Sequence, residues 1–218
     1  FWGKGYDEQG FVTPSAYPDP AYRVDIDDLL AKAEQFWAMN VNTLKFLTPG
    51  HSKTDNYKMM IFLLYQTDWL ATGAGYDNTI GALWVSPSTC HPVGSTIAHE
   101  IGHSFQYQVY CDNGGNSGWR YGFGGNGGNG YWEQCAQWQA YQSYQAEAFT
   151  SYNFTVYIEN CHRSTFHEWQ RYASYFINYY WTYRHGIDFI GRLWKESGVN
   201  GNEDPAQAYM RITGITLE

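Results

Sequence analysis

The stretch Pro92-Val93-Gly94-Ser95-Thr96-Ile97-Ala98-His99-Glu100-Ile101-Gly102-His103-Ser104-Phe105 decides how the rest of the chain is read. Val93, Ile97, Ile101 and Phe105 recur every four residues, so on a helix they form one apolar stripe. At about 100° per residue, His99 lies roughly 200° from both Ile97 and Ile101, which turns it and His103 away from that stripe. Four apart, the two histidines share a face and can offer two imidazole nitrogens to one Zn²⁺, with Glu100 beside the open coordination position. That is the layout of a metal-dependent hydrolase. The plain alternative is two histidines and a solvated glutamate on a polar helix face. Pro92 suits a first helical position, where its missing N–H costs nothing. Gly102 in mid-helix costs about 1 kcal/mol relative to alanine, so it predicts close approach of another backbone or of a ligand.

A catalytic zinc takes three protein ligands and keeps a fourth position for water. The metzincin pattern would put Gly at 106 and His at 109, and those positions hold Gln106 and Val109. The other common solution is a glutamate from a following helix. Tyr131-Trp132-Glu133-Gln134-Cys135-Ala136-Gln137-Trp138 opens a helical run directly after a glycine-rich loop, which makes Glu133 the expected third ligand. A carboxylate in the first turn of a helix is also favoured by the macrodipole, and this gives Glu133 a purely structural alternative. Asp112, Glu147, Glu159 and His162 are the remaining candidates.

His99-Glu100-x-x-His103 followed by Glu133 on the next helix resembles the gluzincin clan of zinc metallopeptidases. The wider layout resembles DUF6055, read here as a group of metallopeptidase-like proteins: Trp2-Gly3-Lys4, an amphipathic helix, the apolar run Tyr57 to Tyr65, the His-Glu helix and Trp132-Glu133. This resemblance implies an α+β, zincin-like domain in which an N-terminal mixed sheet and active-site helix precede a mostly helical C-terminal half. It implies Zn²⁺ held by His99, His103 and Glu133, and Glu100 as the catalytic base. It also implies an oxyanion donor from a later helix, where His167, Tyr172, Tyr175, Tyr179 and Tyr180 are all available. The separation of His103 and Glu133 is longer than in thermolysin-like enzymes, and the extra length is the Gly/Asn-rich loop.

The chemistry expected of those roles is peptide hydrolysis. Zinc brings the pKa of its water down to about 7, and Glu100 would accept that water's proton and pass it to the leaving amine. The substrate expected is a protein, peptide or glycoprotein outside the cell. Two other classes compete: a glycan- or protein-binding module derived from a metallopeptidase, and a metal-dependent hydrolase of a non-peptide substrate. A binding module would have no reason to keep Glu100.

The chain has 218 residues, enough for a substantial core, and reads as one domain, with 1–110 as mixed sheet and active-site helix and 131–218 as the helical half. Lys and Arg number 13 against 21 Asp and Glu, so the clustered cations needed to neutralise phosphates are missing and nucleic acid is not expected as a partner. Aromatic residues make up 19%, most of them expected in the core, the rest able to stack on sugars or protein anchors. Cys90, Cys111, Cys135 and Cys161 form an even set flanking the proposed site; disulfides stapling the loop would suit an extracytoplasmic setting, and free buried thiols are the alternative. No apolar run is long enough to span a bilayer, and no signal peptide or initiator Met is seen, so the chain reads as an excised, secreted catalytic domain.

Outward from the motif, Phe1 to Tyr6 is expected as a strand and Val24 to Asn40 as an amphipathic helix, from the spacing of Ile26, Leu29, Leu30, Ala33, Phe36 and Trp37. Tyr57 to Tyr65 reads as a central strand buried on both faces. Turns are expected at Gly73-Ala74-Gly75 and Asp77-Asn78, and Ile80 to Val85 as the sheet edge that pairs with substrate. Asp112 to Gly130 reads as a loop, either a mobile flap whose Trp119, Tyr121 and Phe123 contact substrate or a passive connection. Phe166 to Trp181 is expected as one long packed helix, followed by a short helix capped by Asp188 and a last one opened by Asp204-Pro205.

Overall fold

The computed structural model describes residues 1–217 apart from 9, 11, 120–125 and 199–202, and gives residues 126–129 as backbone only. The architecture is α+β. Its sheet has three strands, β1 (Met60–Leu63), β2 (Ala71–Tyr76) and β3 (Ile80–Val85), in the order β1-β3-β2. β1 runs parallel to β3 with Met60 opposite Ala82, and β2 runs antiparallel with Thr72 opposite Trp84. The apolar run around β1 therefore does not form the central strand; the nearly continuous apolar residues of β3 take that place. Phe1 to Gly3 covers the other side of β1, with the Leu63 N–H donating to Phe1 O and the Gly3 N–H to Leu63 O, both at 2.9 Å. Only Trp2 of the expected N-terminal strand pairs, in one bridge to Leu63, and Lys4–Tyr6 is a 3₁₀ turn. β2 forms the edge of the sheet among the described residues, and Ile80 to Val85 is its central strand, not the edge expected.

Asp77 and Asn78 do form a turn, both in the left-handed region at φ of 52° and 49° that these residue types tolerate. Gly73-Ala74-Gly75 does not. It lies inside β2, and its glycines exist for a different reason. A Cβ on Gly73 would sit 1.9 Å from the Glu100 carbonyl oxygen, one on Gly75 1.8 Å from the Tyr107 ring, and one on Gly81 2.6 Å from the Ser104 carbonyl. Bare backbone on the sheet lets the motif helix lie directly against it. Polar side chains fasten the two together: Ser104 Oγ donates to Ala82 O at 2.9 Å, and Gln108 Oε1 accepts from the Gly81 N–H at 2.7 Å.

The amphipathic helix α1 (Ile26–Ala38) starts at Asp25, whose side chain accepts from the Asp28 N–H, and continues into a π-helical segment at Met39–Thr43. The motif helix α2 (Ser95–Asp112) begins at Gly94, so Pro92 precedes the helix instead of occupying its first position. Val93, Ile97, Ile101 and Phe105 are all buried as the stripe required. The next helix, α3 (Asn126–Ser143), starts several residues earlier than the glycines suggested. Residues 131–141 are buried on every side, so their sequence carries no amphipathic signal. Of the presumed flap, Tyr121 and Phe123 lie outside the described residues, while Trp119 is a buried core residue whose Nε1–H donates to Glu203 O at 2.8 Å.

The helical half continues with α4 (Glu147–Thr150), α5 (Tyr152–Asn160), α6 (Phe176–His185), α7 (Phe189–Glu196) and α8 (Pro205–Thr213). The long helix expected over Phe166 to Trp181 breaks in two: a 3₁₀ turn at Glu168–Gln170, which His167 caps, and then α6. Asp188 bonds to α7 only through its backbone carbonyl, which accepts from the Arg192 N–H at 3.1 Å, and its side chain makes no cap bond, whereas Asp204 and Gln207 form a reciprocal cap at α8. All four cysteines are free, Cys90, Cys111 and Cys135 buried and Cys161 exposed, so no disulfide staples the loop. Among the described residues, no helix is long and apolar enough to cross a membrane.

Candidate metal centre

α2 packs closely on α3 at Gly102, where a Cβ would come 3.2 Å from Ala136 Cα and 3.0 Å from Gln139 Oε1. This is the close backbone approach that a mid-helix glycine predicted. Three residues before that contact on each helix, one turn along, stand His99 and Glu133, and this geometry aims the carboxylate at the two imidazoles. Glu133 Oε2 lies 3.0 Å from His99 Nε2 and 3.1 Å from His103 Nε2. The ligating atoms of the three residues all fall within 4.8 Å of one another, and all three side chains are buried. Glu133 is well inside α3, so the alternative of a first-turn carboxylate facing the helix dipole no longer applies.

The other ligand candidates lie elsewhere. Asp112 accepts from the Lys53 N–H at 2.9 Å and from Gln108 Nε2 at 2.8 Å, and Glu159 and His162 are exposed. Glu147 reaches the same cavity as the cluster without joining it.

Buried side by side, Glu133 and His103 perturb one another. Burial alone would raise the Glu133 pKa, but hydrogen bonds from His103 and His99 outweigh it and hold the carboxyl far below the usual carboxylate range. Burial likewise would lower His103, yet its pKa is raised, because Glu133, Glu100 and Gln106 all favour its charged form. Two nitrogen donors and one anionic oxygen, buried and convergent, are a donor set that suits a divalent cation. His99, His103 and Glu133 can together hold a metal ion.

Glu100 is also buried. Its Oε2 accepts from the Gly73 N–H at 2.6 Å, which ties the motif to the middle of β2. That N–H points away from β3, so by the two-residue period of a strand Ala71 and Gly75 also turn their backbone groups outward. A cavity of about 1130 Å³ opens above the cluster, walled by β2 on one side and by aromatic rings including Trp69, Tyr107, Tyr152 and Tyr172. Of the residues available as oxyanion donors, Tyr172 alone lines it, its ring centroid 6.0 Å from that of His99. Tyr175 is buried and donates to Ala148 O, Tyr180 meets Arg184, and His167 is spent on its cap.

Two contributors went unnoticed in the sequence. Trp132 stacks on His103 at 5.6 Å and 29°, and Gln106 Oε1 lies 2.9 Å from His103 Nδ1. The i, i+3 spacing of His103 and Gln106 was the available signal. Compared with curated proteins and with solved structures, the chain finds no match. A family model described as a family of unknown function, DUF6055, matches residues 1–218. The chain therefore belongs to DUF6055.

Proposed function

We propose that this protein is a zinc-dependent endopeptidase of zincin-like fold, with His99, His103 and Glu133 as ligands and Glu100 as general base. The observation that carries the reading is the convergence of the three ligands, with Glu100 beside them, at the floor of an open cleft. Zinc bound there supplies a water acidified to a pKa of about 7 and polarises the carbonyl under attack. Glu100 takes the proton of the attacking water and delivers it to the leaving amine. With the Gly73 N–H held by Glu100, the outward backbone of β2 at Ala71 and Gly75 is left to pair with an extended peptide, which gives affinity with little demand on side chains. Tyr172 is the residue we place on the developing oxyanion. The substrate we propose is a protein or glycoprotein outside the cell; the four free thiols add no argument for that setting.

The test is metal content and peptide hydrolysis of wild type, Glu133→Ala and Glu100→Gln, each dialysed against a weak chelator. One zinc per chain is expected in wild type and in Glu100→Gln, with hydrolysis only in wild type, and no zinc in Glu133→Ala. A wild-type protein that holds no zinc after exposure to it, or a Glu100→Gln variant as active as wild type, would overturn the proposal.

A further inference from the structure

Behind His103 runs a line of buried amides. Gln106 Oε1 faces His103 Nδ1 at 2.9 Å, while Gln106 Nε2 lies 3.1 Å from the Trp132 carbonyl and 3.1 Å from Gln139 Oε1. Gln139 Nε2 lies 2.6 Å from Asn40 Oδ1, and Asn40 Nδ2 lies 2.9 Å from the Phe36 carbonyl. Gln106, Gln139 and Asn40 are all essentially inaccessible to water.

The direction of every bond in this line follows from its two ends. A backbone carbonyl can only accept, so the Gln106 atom facing Trp132 O must be the amide nitrogen, which leaves the Gln106 oxygen facing His103. The same reasoning from Phe36 O puts the Asn40 oxygen toward Gln139, hence the Gln139 nitrogen toward Asn40 and its oxygen toward Gln106. Both ends agree. The acceptor presented to His103 Nδ1 is therefore set twice over, and Nδ1 must carry a proton. An imidazole whose Nδ1 is protonated keeps its Nε2 lone pair for a metal, and Nε2 is the nitrogen turned toward Glu133.

We infer that Gln106 is a positioning residue that fixes the His103 tautomer, with its own polarity fixed by Trp132 O directly and by Phe36 O through Asn40 and Gln139. This rests on the reading that the trio binds zinc. His99 has no such support: its Nδ1 is buried and has no hydrogen-bond partner among the described residues. The two histidines of one motif are thus unequal, and His103 is the anchored one.

The test combines zinc affinity, by competition with a chromophoric chelator, with nitrogen-15 spectra of the zinc-loaded histidines. In wild type, His103 is expected to coordinate through Nε2 and to show a slowly exchanging proton on Nδ1. Gln106→Met, close in volume and without the acceptor, is expected to weaken zinc about 10- to 100-fold and to lose that protected proton. Gln139→Met, one link further away, is expected to show a smaller loss of both. Unchanged affinity in a folded Gln106→Met, or Nδ1 coordination by His103 in wild type, would overturn the inference and leave the zinc site standing. The wild-type spectrum decides the matter even if the variants do not fold. A wild type that takes up no zinc would instead remove both this inference and the function it rests on.

Discussion

At the scale of single residues, the cluster turns on one atom, Glu133 Oε2, which lies 3.0 Å from His99 Nε2 and 3.1 Å from His103 Nε2. His99, Glu100 and His103 are read directly from a spacing that only a helix makes meaningful, and Glu133 from the need for a third ligand. Gln106 was visible only as a residue that broke another family's pattern. Its role depends on a carbonyl of α3 and on an amide line ending in the π-helical segment after α1, neither of which local sequence encodes. Tyr172 was one of five equal candidates until the break before α6 placed it at the cleft. Tyr172→Phe removes one hydroxyl donor, and its expected effect is a fall in kcat of about 10²-fold, with KM and zinc content close to wild type. Peptide kinetics on the metal-loaded protein check this; an unchanged kcat would return Tyr172 to the role of a wall residue.

At the scale of elements, the striped helix α1 and the strand Ile80–Val85 lie where the sequence puts them, while the order of the strands in the sheet differs from expectation. α1, with its regular stripe and Asp25 cap, agrees with expectation to within about two residues at either end. β1 was misjudged as central because its apolar run says that it is covered, not by what; Phe1 to Gly3 supplies part of the cover. Gly73 and Gly75 were misjudged because glycine signals a turn and a close contact equally well. The structure decides for contact, and a prediction belongs here. Gly73→Ala puts a methyl within 1.9 Å of the Glu100 carbonyl, on backbone that cannot swing aside. Overpacking of this kind costs roughly 1–3 kcal/mol or more, and a denaturant midpoint lowered without a change in slope would register it. Equal stability of the variant would mean that β2 and α2 can separate at little cost.

At the scale of the whole molecule, the core is held without covalent staples. Cys90 and Cys111 have their thiols pushed up to about 11 by burial, and burial raises Cys135 further still. A raised pKa means less thiolate at any lower pH, so near pH 8 the first two are ionised at about one part in a thousand. A thiol reagent should then find one fast equivalent in the native protein, the exposed Cys161, and four after unfolding; fewer than four would reveal a disulfide that the fold does not contain. The same molecule carries an open sheet edge along β2, and open edges are where two copies of a chain zip together into larger assemblies. Glu100 occupies the middle of that edge, its carboxylate taking the Gly73 N–H that a neighbouring strand would otherwise seize. A glutamine in its place still offers an oxygen to that N–H, whereas an alanine leaves the edge bare. The residue assigned to proton transfer thereby also closes one hydrogen-bonding position on the edge strand.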